Sequence, residues 1–320
     1  MKQVIMTGAT GFIGSWLAEE MLNSGVGVTA LVRDKNKVLP HIAGNPNCIL
    51  VECSYDQIDQ ADGDFSPEYD AFYHLGWGGV SPACKNDIEL QIGNIQSAVK
   101  AMRLSRKLGC KKFIASGTVA EYVLCEDVMD VYERQTPNDM YGAAKVSAHY
   151  FLEVLARQLD QPFIWTVIPS TFGERRTDNN IITYTIRSLL HGDKPLYGNL
   201  NQMWDFLYVS EVVRALRFIG EKGIHGKTYG IGSGVYKPLK EYIYQIRDVI
   251  APEAELGIGE RQNMSEQTFS SCVNIYDLIR DTGFVPRVSF DEGIKKTVEW
   301  FSVHEKIQHK HCGKEKREQE

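Results

Sequence analysis

"VIMTGATGFIGSWLAEEML", residues 4–22, sets Gly8, Gly11 and Gly14 three residues apart, between a β-branched apolar run and an amphipathic stretch. Each glycine has its own physical reason. Gly8 permits a tight turn out of a strand, Gly11 lets the backbone approach a ligand closely, and Gly14 lets helix and strand pack together. The helix that opens behind them offers unpaired N–H groups and partial positive charge, a seat for a pyrophosphate. A plain glycine-rich turn is the alternative. The strand before, the helix after and the next strand, "VGVTALVR" (26–33), weigh against it.

Outward from this unit the alternation continues. "NCILVEC" (47–53), "YDAFYHLG" (69–76), "KKFIAS" (111–116) and "FIWTVIP" (163–169) read as strands, and residues 87–108 and 139–159 as long helices. In the first helix Ile88, Ile92, Ile95, Val99 and Met102 recur at three- and four-residue steps. The fold class expected is α/β, a Rossmann-type doubly wound parallel sheet covered on both faces. After Gly173 the pattern loosens into a polar loop, a helix "IITYTIRSLLHG" (181–192), a turn-rich excursion, and a helix "VSEVVRALRFIG" (209–220) with Ser210 as expected N-cap. The expected organisation is a nucleotide-binding domain over 1–173 with a returning segment at 205–231. A smaller, discontinuous lobe follows over 174–204 and 232–305, and then a frayed, charged tail over 306–320.

The 320 residues, 43% apolar and 24% charged, suit a soluble globular protein, and a net charge of −6 argues against a dedicated nucleic-acid binder. Seven scattered cysteines without a CxxC pair fit reduced thiols and a cytoplasmic setting. No signal-like N-terminus is apparent, and no apolar run reaches the roughly 20 residues a membrane span needs. The "NMS" at 263–265 is then an accidental sequon, and His309, His311 and Cys312 are tail residues, so no metal is expected.

The second strand ends at Val32, followed by Arg33 and Asp34. A carboxylate at that end would meet a free ribose 2′-hydroxyl, whereas an arginine can pair with a 2′-phosphate. Arg33 therefore favours NADP, with NAD as the alternative should Arg33 stack on adenine and Asp34 take the ribose. Further along, "YGAAK" (141–145) sets Tyr141 and Lys145 on one helix face. A neighbouring ammonium is expected to lower a phenol pKa from about 10. Such a phenol can exchange a proton with a carbonyl or alcohol oxygen.

These stretches, with "FIASGTVAEY" (113–122), "FGE" (172–174), "WDFLYVSEV" (204–212), "YGIGSG" (229–234) and "GFVPRVSFDEGIKKTVEW" (283–300), span nearly the whole chain. Together they resemble the extended short-chain dehydrogenase/reductase family of nucleotide-sugar epimerases, dehydratases and 4-keto reductases. The resemblance implies catalytic roles for Thr118, Tyr141 and Lys145. It implies a cofactor seat of Gly8, Thr10, Gly11, Phe12, Ile13, Gly14, Arg33, Leu75, Gly76, Ser116 and Pro169, with Tyr141 and Lys145 at the nicotinamide ribose. For a nucleotide-sugar substrate it implies Trp77, Thr118, Asn180, Trp204 and Arg261, with Arg175 and Arg176 as further cations. Trp204 stands where the family carries an arginine, and an indole can stack but cannot neutralise phosphate. Cys53 replaces an aspartate that meets adenine. Trp77 replaces a small residue, as either a gate or core packing. His74 and His149 read as packing residues.

Dehydratases of the family carry Asp-Glu directly after the catalytic threonine, and decarboxylases a Glu; here Val119 and Ala120 stand there. Glu121, one residue later, either faces the pocket or makes a structural hydrogen bond. The readings left are reduction of the C4 keto group of a nucleoside-diphosphate 4-keto-6-deoxyhexose, with Tyr141 as proton donor, or 4-epimerisation with retained NAD. Arg33 tilts towards the reductase. A non-catalytic dinucleotide sensor is the reading from another class. Homodimerisation through the two long helices is expected from the resemblance.

Overall fold

The structure, a computed structural model, describes residues 1–123, 128–261 and 271–315, with side chains to residue 304. Seven strands form its main sheet: β1 (Gln3–Thr7), β2 (Gly27–Val32), β3 (Cys48–Glu52), β4 (Ala71–His74), β5 (Phe113–Thr118), β6 (Phe163–Ile168) and β7 (Thr228–Gly230). All pair in parallel, in the order 3-2-1-4-5-6-7. Every residue of β2 and β6 is buried, which is why these strands read as nearly unbroken apolar runs. The order reverses between β1 and β4, and the crevice outside their carboxyl ends is where such sheets bind ligands.

Besides a single turn at Pro40–Ala43, the α-helices among the described residues are α1 (Phe12–Asn23), α2 (Ile88–Lys107), α3 (Met140–Leu159), α4 (Ile181–His191), α5 (Val209–Lys222), α6 (Leu239–Ile250), α7 (Tyr276–Thr282) and α8 (Phe290–Glu315). Leu17, Met21, Val212, Leu216 and Leu278 bring α1, α5 and α7 onto one sheet face. Ala98, Met102, Ala148 and Leu152 bring α2 and α3 onto the other. The N-caps of α2 and α3 are Asp87 and Asp139, whose side chains accept the N–H groups of Leu90 and Gly142. A third core gathers Phe172, Ile186, Phe206, Tyr242, Ile294 and Phe301, holding α4, α6 and α8 as a lobe.

Three details differ from the sequence expectations. Ser210 lies inside α5, because the strand Phe206–Tyr208, paired with Ser170–Phe172, runs directly into the helix and leaves Tyr208 as N-cap. Helix α7, from the stretch assigned to the lobe, packs on the sheet's first face through Leu278. Helix α8 continues to Glu315, into the stretch expected to fray; the side chains of His309, His311 and Cys312 and the sequon at 263–265 lie outside the described residues. Among the described residues no helix is long and apolar enough to cross a membrane.

Candidate active site

The turn between β1 and α1 closes through the Gly11 N–H, which donates to the Gly8 carbonyl at 2.9 Å. Gly8 has φ +84°, and a Cβ there would stand 2.9 Å from backbone atoms of Leu75 and Gly76, so the turn lies flush against the end of β4. A Cβ on Gly14 would overlap the Gly8 carbonyl, which accounts for the third glycine as a packing position. Thr10 and Gly11 are exposed at the tip, Phe12 and Ile13 open α1, and the helix start has no side-chain cap and no acidic residue in its first turn. That bare helix start fits a dinucleotide diphosphate.

Beside it, the Thr7 hydroxyl accepts the Gly76 N–H at 3.0 Å and lies 3.0 Å from His74 Nδ1. Burial, with the Lys145 charge adding to it, pushes the His74 imidazole down to about 3, so this histidine is a neutral structural group. At the end of β2 the Arg33 guanidinium lies 5.0 Å from the centre of the Tyr55 ring. Asp34 turns its carboxylate to the Asn36 N–H at 2.9 Å, capping a short turn. Tyr55 was not singled out in the sequence. It also reaches Gly76, where an added Cβ would lie 2.6 Å from its hydroxyl.

Thr118, Tyr141 and Lys145 meet at the carboxyl end of β5. Lys145, 3% exposed, donates from Nζ to the Ser116 carbonyl at 2.6 Å and lies 3.4 Å from the Ser116 hydroxyl. Its ammonium stands 3.8 Å from the centre of the Trp77 ring, and Trp77 in turn meets Tyr141 edge-on at 6.4 Å. Gln91 fixes the indole by accepting its N–H at 2.9 Å. Trp77 is thus neither remote core nor surface; it is the aromatic wall of the lysine site. Gly142 lets α3 approach closely, since a Cβ there would overlap the Ala120 carbonyl. Pro169 is buried directly after β6, whose last residue, Ile168, is in register with Thr118.

The electrostatics correct one expectation. Burial pushes the Tyr141 phenol up to about 12, with the Glu121 and Asp139 carboxylates adding to it; the Thr118 hydroxyl and the Arg176 charge act the other way. Lys145 donates to the Ser116 carbonyl, lies over the Trp77 ring and stands 6.0 Å from the Tyr141 ring centre. Burial also drives Lys145 towards the neutral amine, against the Glu121 carboxylate. Glu121 faces inward, accepting the Thr118 N–H at 2.8 Å and the Trp165 indole N–H at 3.3 Å. His149 stacks on Trp165 at 4.7 Å, as a packing residue.

Of the predicted substrate residues, Trp77 and Thr118 belong to this group, while Asn180, Trp204 and Arg261 lie on lobe elements. Asn180 caps α4, its oxygen accepting the N–H groups of Ile182 and Thr183, which commits it to the helix. Trp204 leans on Phe206 at 6.1 Å. Arg261 is exposed and tied to the Tyr197 carbonyl by its backbone N–H at 3.0 Å. Arg176, 5.6 Å from the Phe12 ring and paired with Asp178, is the lobe-side cation that reaches the glycine turn, while Arg175 pairs with Glu19 and covers Trp16.

Comparison with known proteins places this geometry. The chain is 25% identical to a dTDP-glucose 4,6-dehydratase of Neisseria gonorrhoeae, over 94% of this chain and 95% of that protein. It is 27% identical to a UDP-N-acetyl-alpha-D-glucosaminuronate decarboxylase of Bacillus cytotoxicus, over 94% and 98%. Among solved structures, UDP-glucuronic acid 4-epimerase from Bacillus cereus, in complex with UDP-glucuronic acid and NAD, superposes with a TM-score of 0.81 at 19% identity, covering 94% of this chain and 99% of that one. That last likeness is one of fold. The profile of the NAD dependent epimerase/dehydratase family matches residues 4–232, and the chain belongs to that family.

Proposed function

We propose that the protein reduces the C4 keto group of a nucleoside-diphosphate 4-keto-6-deoxyhexose, with NADPH as the reduced cofactor. The observation that carries this reading is the grouping of Tyr141 with Thr118 and Lys145 at the carboxyl end of β5. A phenol in that place can give its proton to an oxygen that gains charge as hydride arrives, which is the need of a reduction. Thr118 holds the same oxygen and the phenol in one array. Lys145 would bond the nicotinamide ribose, and the bound nicotinamide would supply the hydride. Val119 and Ala120 bring no carboxylate to that array, so it lacks the second acid–base pair that eliminating water requires. Arg33, stacked on Tyr55 and free of a carboxylate partner among the described residues, suits a 2′-phosphate.

The nucleotide sugar is proposed to enter from the lobe, with Trp77 beside the reacting carbon and Arg176, Trp204 and Arg261 on the diphosphate and base side. The protein is proposed to work in the cytoplasm as a homodimer. The test is incubation of purified protein with NADPH or NADH and dTDP-4-keto-6-deoxyglucose, following loss of reduced nicotinamide and formation of the C4 alcohol. Consumption with a preference for NADPH is the expected result. C4 interconversion of a UDP-hexose by protein carrying retained NAD, with no net consumption, would replace this reading by the epimerase.

A further inference from the structure

Beneath the catalytic turn lies a carboxylate without an assigned task. Glu121 has no exposed surface, and both its oxygens are engaged: Oε1 takes the Thr118 N–H at 2.8 Å and Oε2 the Trp165 indole N–H at 3.3 Å. The arrangement is built in. A Cβ on Gly117 would overlap both the Glu121 carboxylate and the Trp165 nitrogen, so glycine at that position is what lets the two approach under β5. Thr118 and Glu121 form a reciprocal cap on the turn Val119–Glu121, which orients the Thr118 side chain. An ionised carboxylate sealed among neutral N–H donors costs several kcal/mol, and a glutamine could make the same bond to Thr118 more cheaply.

The surrounding charges show what the carboxylate acts on. His74 is neutral. Asp139 is paired with Lys85, and Arg176 with Asp178. Tyr122 and Tyr141 are phenols raised by burial, and the Glu121 charge raises both further. Lys145 is the buried cation on the helix packed against this turn; it donates to the Ser116 carbonyl and lies over the Trp77 ring. Each of the two buried groups supports the charge of the other against burial.

We propose that Glu121 is a positioning residue for the reaction: through the Thr118 N–H it sets the Thr118 hydroxyl against Tyr141, and its charge holds Lys145 as an ammonium. The inference rests on the Thr118–Tyr141–Lys145 site described above. Its test is the titration of Lys145, followed by NMR on protein carrying isotope-labelled lysine, with the signal assigned by its loss in Lys145→Met. Glu121→Gln keeps the size and the acceptor for Thr118 but removes the charge, and the Lys145 midpoint is expected to fall by roughly one pH unit. Should Glu121→Gln fail to fold, Trp165→Phe withdraws one donor, makes the carboxylate harder to keep ionised, and lowers the midpoint in the same direction. An unmoved midpoint in the Gln variant, or in the Phe variant where the first does not fold, overturns the proposal. The measurement needs no substrate. A wild type that consumes no reduced cofactor would sink the reductase reading and leave this one standing.

Discussion

At the scale of single residues, Tyr141 and Arg33 make separable claims. Tyr141→Phe removes the proposed proton donor while keeping the ring that meets Trp77 edge-on. Turnover is expected to fall by about 10²–10⁴ with dinucleotide affinity little changed, measured by steady-state kinetics beside equilibrium cofactor binding. Retained turnover would remove the phenol from the mechanism. Arg33→Ala should weaken NADPH by roughly ten- to hundredfold, the worth of a charge-assisted bond, while leaving NADH within a few-fold. Equal losses for both would mean that Arg33 acts through Tyr55 and the adenine side, the stacking alternative.

At the scale of elements, the Thr118–Tyr141–Lys145 group depends on how closely α3 approaches the turn after β5. Gly142 is the point of contact, and two effects oppose each other there. Alanine in a helix is favoured over glycine by about 1 kcal/mol, but its Cβ would overlap the Ala120 carbonyl, and overpacking costs about 1–3 kcal/mol. Backbone cannot swing aside as a side chain can, so the clash wins. Gly142→Ala is expected to lower the melting temperature and, by moving Tyr141 off Thr118, to reduce kcat more than cofactor affinity. A variant as active and stable as wild type would show that the approach is looser than described. This contact also marks where sequence reading stops. The strand–helix alternation, the three glycines and the Tyr141–Lys145 pair were legible, because each is a local pattern that periodicity or backbone sterics dictates. The Trp77 ring over Lys145, Tyr55 under Arg33 and the inward turn of Glu121 were not, because each joins side chains from different strand ends. Asn180 shows a different limit: a residue type suited to a ligand is equally suited to capping a helix, and its bonds to Ile182 and Thr183 show the cap.

At the scale of the whole molecule, α2 and α3 lie side by side on one sheet face, and their outward sides carry apolar groups that the chain itself does not cover. Ile88, Leu90 and Ile92 on α2, and Met140, Tyr150, Phe151 and Val154 on α3, are all exposed, Phe151 by 61%. Singly such residues need no explanation, but grouped on two adjoining helices they form the kind of face that a second copy buries. The inward sides of the same helices hold Lys145 and the Gln91 that fixes Trp77, so pairing there would stiffen the elements that carry the site. The protein is expected to be a dimer at micromolar concentration by light scattering. A glutamate at Phe151 or Val154 would have to be desolvated in that interface at a cost of a few kcal/mol, so Phe151→Glu and Val154→Glu should each weaken dimerisation by at least about thirtyfold. Both side chains point away from the sheet, so cofactor binding in the resulting monomers should persist. A wild type that scatters as a monomer, or variants that remain dimers, would move the interface elsewhere and leave this apolar face without an occupant.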